Sequence, residues 1–153
     1  MLLLLFAFLI GCVCGLRSMT APAVVAWGAR LGWLHLQGSH LAFFANKISL
    51  VIFSLFAIGE LIADKLPFIP RRTQPGPLGV RVVFGAMCGA ALCIAGSGLP
   101  LFGAILGGLG AVAGAFAGYH YRRSLSTKVP DLLLALLEDV VAVGGGFLLV
   151  SRF

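Results

Sequence analysis

Long apolar runs, separated by short clusters of proline, glycine and arginine, set the pattern of this chain. The runs cover residues 2–16, 48–66, 80–97, 100–121 and 131–150. A helix needs roughly 20 residues to cross a hydrocarbon core of about 30 Å, so the pattern predicts an all-α integral membrane protein with five transmembrane helices. A further apolar piece, residues 21–34 (APAVVAWGARLGWL), follows the GLRSMTAP break and carries Pro22, Trp27, Arg30 and Trp33. Proline favours a helix restart, and indoles settle at headgroup level, so this piece is expected to be a re-entrant or interfacial helix.

Punctuation supports these limits. The second run stops in LPFIP, and RRTQPGPLGVR reads as a basic connection before the third. GSGLP predicts a tight hairpin into the fourth run, and Pro130 with Asp131 is a good start for the fifth. Within the fourth, Gly103, Gly107, Gly110, Gly114 and Gly118 remove side-chain bulk along one stripe, which predicts close helix packing.

Composition agrees: of 153 residues, 60% are hydrophobic and 10% charged. Mean hydropathy is +1.08. Residues 1–153 therefore read as a single polytopic membrane domain with no room for a soluble one. The opening MLLLLFAFLIGCVCG has neither the basic region nor the cleavage site of a signal peptide and is expected to be a retained span. Cys12 and Cys14 lack a lipoprotein signal, and neither they nor Cys88 and Cys93 have CxxC spacing; all four are read as small buried hydrophobes.

Eleven Lys and Arg against five acids give a net charge of +6. In such a chain the excess points to anionic lipid headgroups, not to nucleic acid, and its distribution among loops predicts a cytoplasmic N-terminus. Five helices enclose little volume, which favours a homodimer. A weak internal echo pairs GCVCG, a basic break and a helix bearing Glu60 with GAVAG, the basic YHYRRS and a helix bearing Glu138. Repeat units 1–66 and 100–153, joined by the helix at 80–97, would be inverted relative to one another, as in many transport folds.

Candidate chemistry is concentrated in a few polar residues. Glu60 and Asp64 project from one helical face at i and i+4, and Glu138 and Asp139 are adjacent in the last run. A carboxylate in hydrocarbon costs several kcal/mol unless paired, hydrated or protonated, so these residues mark a bundle interior or a polar pathway. Asp64 beside Lys65 also suits a cytoplasmic helix end. Arg17 with Ser18 and Thr20 at a broken helix would make an anion or phosphate site. Arg71, Arg72, Arg81, Arg122 and Arg123 are candidate lipid-headgroup contacts, and His120 between Tyr119 and Tyr121 suits an interfacial belt. No metal-ligand spacing, nucleophile motif or phosphate-cradling loop is present, so no metal or cofactor is expected and an enzyme is the less favoured class.

GLRSMTAPAVVAW, GELIADKLPFIPRRTQPGPLGVR, GAMCGAALC and LLEDVVAV together resemble the bacterial membrane proteins of the domain of unknown function 4126. The resemblance implies a bacterial inner (cytoplasmic) membrane location and marks Arg17, Ser18, Thr20, Glu60, Asp64, Lys65, Pro67, Arg72, Pro75, Gly76, Arg81, Glu138 and Asp139 as pattern positions; it implies no activity. On the residues themselves, the expected function is a transporter or channel for an ion or small anionic solute. Arg17, Glu60 and Glu138 would line its polar cavity. The alternatives are a lipid-phosphate phosphatase or flippase, and a structural assembly subunit.

Overall fold

The computed structural model describes residues 1–63 and 74–153. Among these, six α-helices and one 3₁₀ turn are present and no strand: α1 (Leu2–Leu16), α2 (Thr20–Arg30), the turn Ala42–Ala45, α3 (Lys47–Ala63), α4 (Pro75–Ala95), α5 (Pro100–Leu125) and α6 (Asp131–Val150). Three of the described helices, α4, α5 and α6, are long and apolar enough to cross a membrane; α1 is apolar but shorter.

Two expected limits move. α4 begins at Pro75, five residues before the expected start at 80, because its prolines lie in the first turn, where the missing amide has no helical partner to lose. The PGPLGVR part of the expected basic connection is therefore helix, and Arg81 lies within it. α5 extends to Leu125 and holds Arg122 and Arg123 in its last turn, where cations complement the helix dipole. The second run is described only as far as Ala63; Asp64, Lys65, Arg71 and Arg72, with the expectations attached to them, lie outside the described residues.

The glycine stripe of α5 explains the core. A Cβ placed on Gly107 or Gly103 would lie under 3.0 Å from the backbone of Gly85 or Gly89 in α4. One placed on Gly110 or Gly114 would collide in the same way with the backbone of Phe8 or Cys12 in α1. Helices α1, α4 and α5 thus meet at backbone contact, where dispersion is gained over the whole shared length and a side chain on the stripe would hold them apart.

Against this triple pack α2 and α6, while α3 packs on α2 and on the 3₁₀ turn. α2 has only 11 residues, yet Thr20 to Ala26 and Gly28 are all buried. Of its residues only Trp27 and Arg30 are exposed. α3 is the opposite: none of its residues is fully buried, and Val51, Leu55, Phe56 and Ile62 are all more than half exposed. Its inner edge is held by Phe53, stacked on Phe44 with ring centroids 5.4 Å apart, and by Trp27 Nε1 donating to Ser54 Oγ at 3.1 Å.

Neighbouring glycines of α5 should respond differently to a methyl group. Gly107→Ala would press on the backbone of Gly85 and is expected to destabilise by about 1–3 kcal/mol. In Gly108→Ala the nearest atom is Val82 Cγ1 at 3.6 Å, and the change should stay within about 0.5 kcal/mol of neutral. Thermal unfolding of both variants in detergent checks the contrast.

Candidate functional site

The chain breaks between α1 and α2, and the break is where the charged residues collect. α1 stops because Arg17 turns to an extended backbone (φ −142°, ψ 112°). A helix restart leaves its first amides without carbonyl partners, and an apolar setting supplies no water to take them. Glu60, from α3, fills that need. Its Oε1 accepts from Ser18 N at 2.9 Å and from Ser18 Oγ at 2.6 Å, while Oε2 accepts from Met19 N at 2.9 Å. Pro22 lightens the same requirement because it has no amide hydrogen. Glu60 is therefore a cap for α2 supplied by another helix, with the negative charge at the positive end of the dipole.

Two arginines balance the acids. Arg17 is completely buried; its Nη2 pairs with Asp139 Oδ1 of α6, and its Nη1 donates to the Glu60 main-chain carbonyl at 3.4 Å. Arg81 of α4, 5% exposed, brings Nη2 to 3.9 Å from Glu60 Oε1. Cys14 ties the same corner, its thiol lying within donating distance of the carbonyls of Ser18 (3.3 Å) and Arg81 (3.4 Å). The α1–α2 break, α3, α4 and α6 thus converge on one cluster. Measured along their helices, Arg81 and Asp139 lie roughly 9 and 12 Å from the first residues of α4 and α6, well inside elements about 30 Å long.

Of the expected site residues, Arg17, Ser18, Glu60 and Asp139 come together. Asp139 pairs with Arg17, and Glu138, the neighbouring position on α6, is half-buried as Asp139 is. Asp64 lies outside the described residues. Thr20 is buried at the first position of α2, and its hydroxyl has no hydrogen-bond partner among the described residues. It lines a groove of about 270 Å³ between α2, α3 and α6, which passes Ala57 and Val143 to Ser54 and Trp27. Arg81 is corrected most: expected at a lipid headgroup, it is buried beside Glu60. The signal was available, since reading Pro75 as a first-turn proline places Arg81 nearly two turns inside α4. Arg122 and Arg123 stay at the end of α5. Among the described residues no group of His, Cys, Asp and Glu is arranged to hold a metal. Cys14, Cys88 and Cys93 are buried, Cys12 is partly so, and all four are free thiols.

Arg17 should be the residue least tolerant of change. Arg17→Ala removes the guanidinium paired with Asp139 inside the bundle, and is expected to destabilise by about 3–5 kcal/mol. Arg17→Lys should recover only part of this, because one ammonium does not reproduce a guanidinium fork directed at both Asp139 and the Glu60 carbonyl. In Arg17→Met with Asp139→Leu the loss should be smaller than in Arg17→Ala alone. A double-mutant cycle on detergent-solubilised protein measures the coupling.

Comparison with curated proteins and with solved structures finds no significant match to the chain. A family model does match: the one described as domain of unknown function (DUF4126) covers residues 4–151, including both sides of the helix break and every member of the charged cluster. The chain belongs to the DUF4126 family of proteins with a domain of unknown function.

Proposed function

We propose that the protein is a small membrane transporter or channel for an ion or small anionic solute. Its polar pathway passes the cluster of Arg17, Ser18, Glu60, Arg81 and Asp139. In this reading α1, α3, α4, α5 and α6 span the bilayer and α2 is re-entrant. The N-terminus faces the cytoplasm of a bacterial cell, and a second copy or lipid covers the exposed apolar side of α3. Residues 1–66 and 100–153 act as inverted units, with the acids of α3 and α6 supplied one from each.

The observation that carries this reading is the burial of two arginines beside two carboxylates at a helix break. Removing charges from water costs several kcal/mol per ion, and well-packed apolar residues generally replace a buried ion pair at little loss or with a gain in stability. A bundle already held by backbone contact along α5 has no need of such a cluster for cohesion. Interrupted helices with charged groups at the break are also the usual construction of a membrane binding site. A second reading, a cluster that serves assembly alone, draws on the fact that Glu60 already has protein donors for both oxygens. A lipid-phosphate role has no comparable observation behind it.

Reconstituted protein should dissipate an imposed gradient of a small anion or of protons across liposomes. Glu60→Gln, which keeps the side-chain volume, should remain folded while flux falls at least tenfold. Absence of flux in either gradient direction would sink the transport reading. A Glu60→Gln protein that loses stability in step with activity would favour assembly.

A further inference from the structure

We propose that the groove between α2, α3 and α6 binds an uncharged, single-chain amphiphile dissolved in the bilayer. The guest is an alkyl chain with one hydroxyl or carbonyl oxygen, and that oxygen lies against the Thr20 hydroxyl. The proposal does not depend on transport through the charged cluster, none of whose residues lines the groove.

Two helix faces build the groove. Thr20, Val24 and Trp27 recur along one face of α2, and Ser54, Ile58 and Leu61 along one face of α3, at the three- and four-residue steps that keep side chains in line. α2 packs on both α3 and α6, which have no comparable contact with one another among the described residues. The space of about 270 Å³ is thus a slot floored by α2. From Thr20 to Trp27 it runs roughly 10 Å, at about 1.5 Å per residue. Ile58, which lines it, is 54% exposed, so the wall continues onto the outer apolar face of α3 and a guest enters from hydrocarbon, not from water.

The lining names the class of guest. None of its side chains carries a charge, so an ion entering it would lose hydration with nothing to replace it. Its volume is below the roughly 300–1,000 Å³ of pockets for drug-sized ligands, which suits one short chain. At the Trp27 end the polar atoms serve each other, the indole Nε1 donating to Ser54 Oγ at 3.1 Å. At the other end the Thr20 hydroxyl, on a residue 2% exposed, has no hydrogen-bond partner among the described residues. Packing alone would be met by valine, which has the same shape and no oxygen to leave unpaired. A hydroxyl at one end of an apolar slot selects a guest that brings an oxygen, and threonine can donate to either an alcohol or a carbonyl.

The test is photolabelling of the protein in phosphatidylcholine nanodiscs by octanol carrying a diazirine. Adducts are located by peptide mapping, and unlabelled octanol, octanone, octane and octanesulfonate compete. Labelling should be saturable and fall on the lining residues of α2, α3 and α6. Octanol should displace the label at least threefold more effectively than octane, which brings no oxygen, and at least tenfold more effectively than octanesulfonate, which brings a charge. Thr20→Val should weaken octanol about three- to tenfold, the size of one hydrogen bond, while leaving octane and the melting temperature unchanged. Ala57→Phe, which fills the slot, should abolish the label there; if it does not accumulate, Thr20→Val decides. Octanone separates the two oxygens: displacement equal to that by octanol assigns the site to either, and weaker displacement to alcohols. No saturable label in the groove, or octanesulfonate displacing as well as octanol, overturns the proposal. Octanol affinity unchanged in Thr20→Val also overturns it and leaves a slot for lipid hydrocarbon alone.

Discussion

A helix interrupted in an apolar setting must find partners for its exposed amides, and the rest of the charged chemistry follows from that requirement. The interruption lies between Leu16 and Thr20, where Ser18 and Met19 present main-chain donors. Glu60 answers them with a carboxylate and so brings a negative charge into the bundle. Arg81 then compensates Glu60, while Arg17, bonded to the Glu60 main-chain carbonyl, is compensated by Asp139. Residues from four separate parts of the sequence thus share one corner.

The corner holds its geometry because α5 leaves no slack elsewhere. With glycine at each close approach, α1 and α4 are set by backbone contact rather than by side chains that can change rotamer. The end of α1 and the first turns of α4 are thereby fixed relative to one another, and with them Arg17 and Arg81. A wider spacing would draw the Arg81 guanidinium away from Glu60, which is bonded at the break that follows α1. Packing along the stripe and the charged cluster are two parts of one arrangement.

Much of this was legible in the sequence, for definite reasons. Apolar runs mark the helices, and the limits of α1 and α6 coincide with those expected, because a charge or a proline stands at each critical end. The glycine stripe announced the contact it makes. Arg17, Ser18 and Glu60 stood out because charges and hydroxyls are conspicuous beside apolar runs. What was not legible depends on angle and depth. That Asp139 meets Arg17 depends on how α6 is turned about its axis, at about 100° per residue, which local sequence does not set. Arg81 was read as a surface cation because the proline and glycine before it resemble a loop, although the same prolines open a helix. That Glu60 would cap α2 depends on where α3 lies, a tertiary fact with no local signature.

The way α3 is held differs in kind from the way its neighbours are held. α1, α4 and α5 are joined by continuous close packing, which has few alternatives, since any displacement leaves voids or collisions. α3 is joined by the aromatic edge at Phe53, by the Trp27–Ser54 hydrogen bond and by Glu60, while most of its apolar surface faces outward. Polar attachments can be exchanged for equivalent ones with little net cost, provided another anion or donor takes the place of the first. A shift of α3 therefore requires a replacement partner at the break more than it requires the core to be remade. In this fold that attachment is made at one place, where a carboxylate borne by its least buried helix occupies the restart of its most buried one.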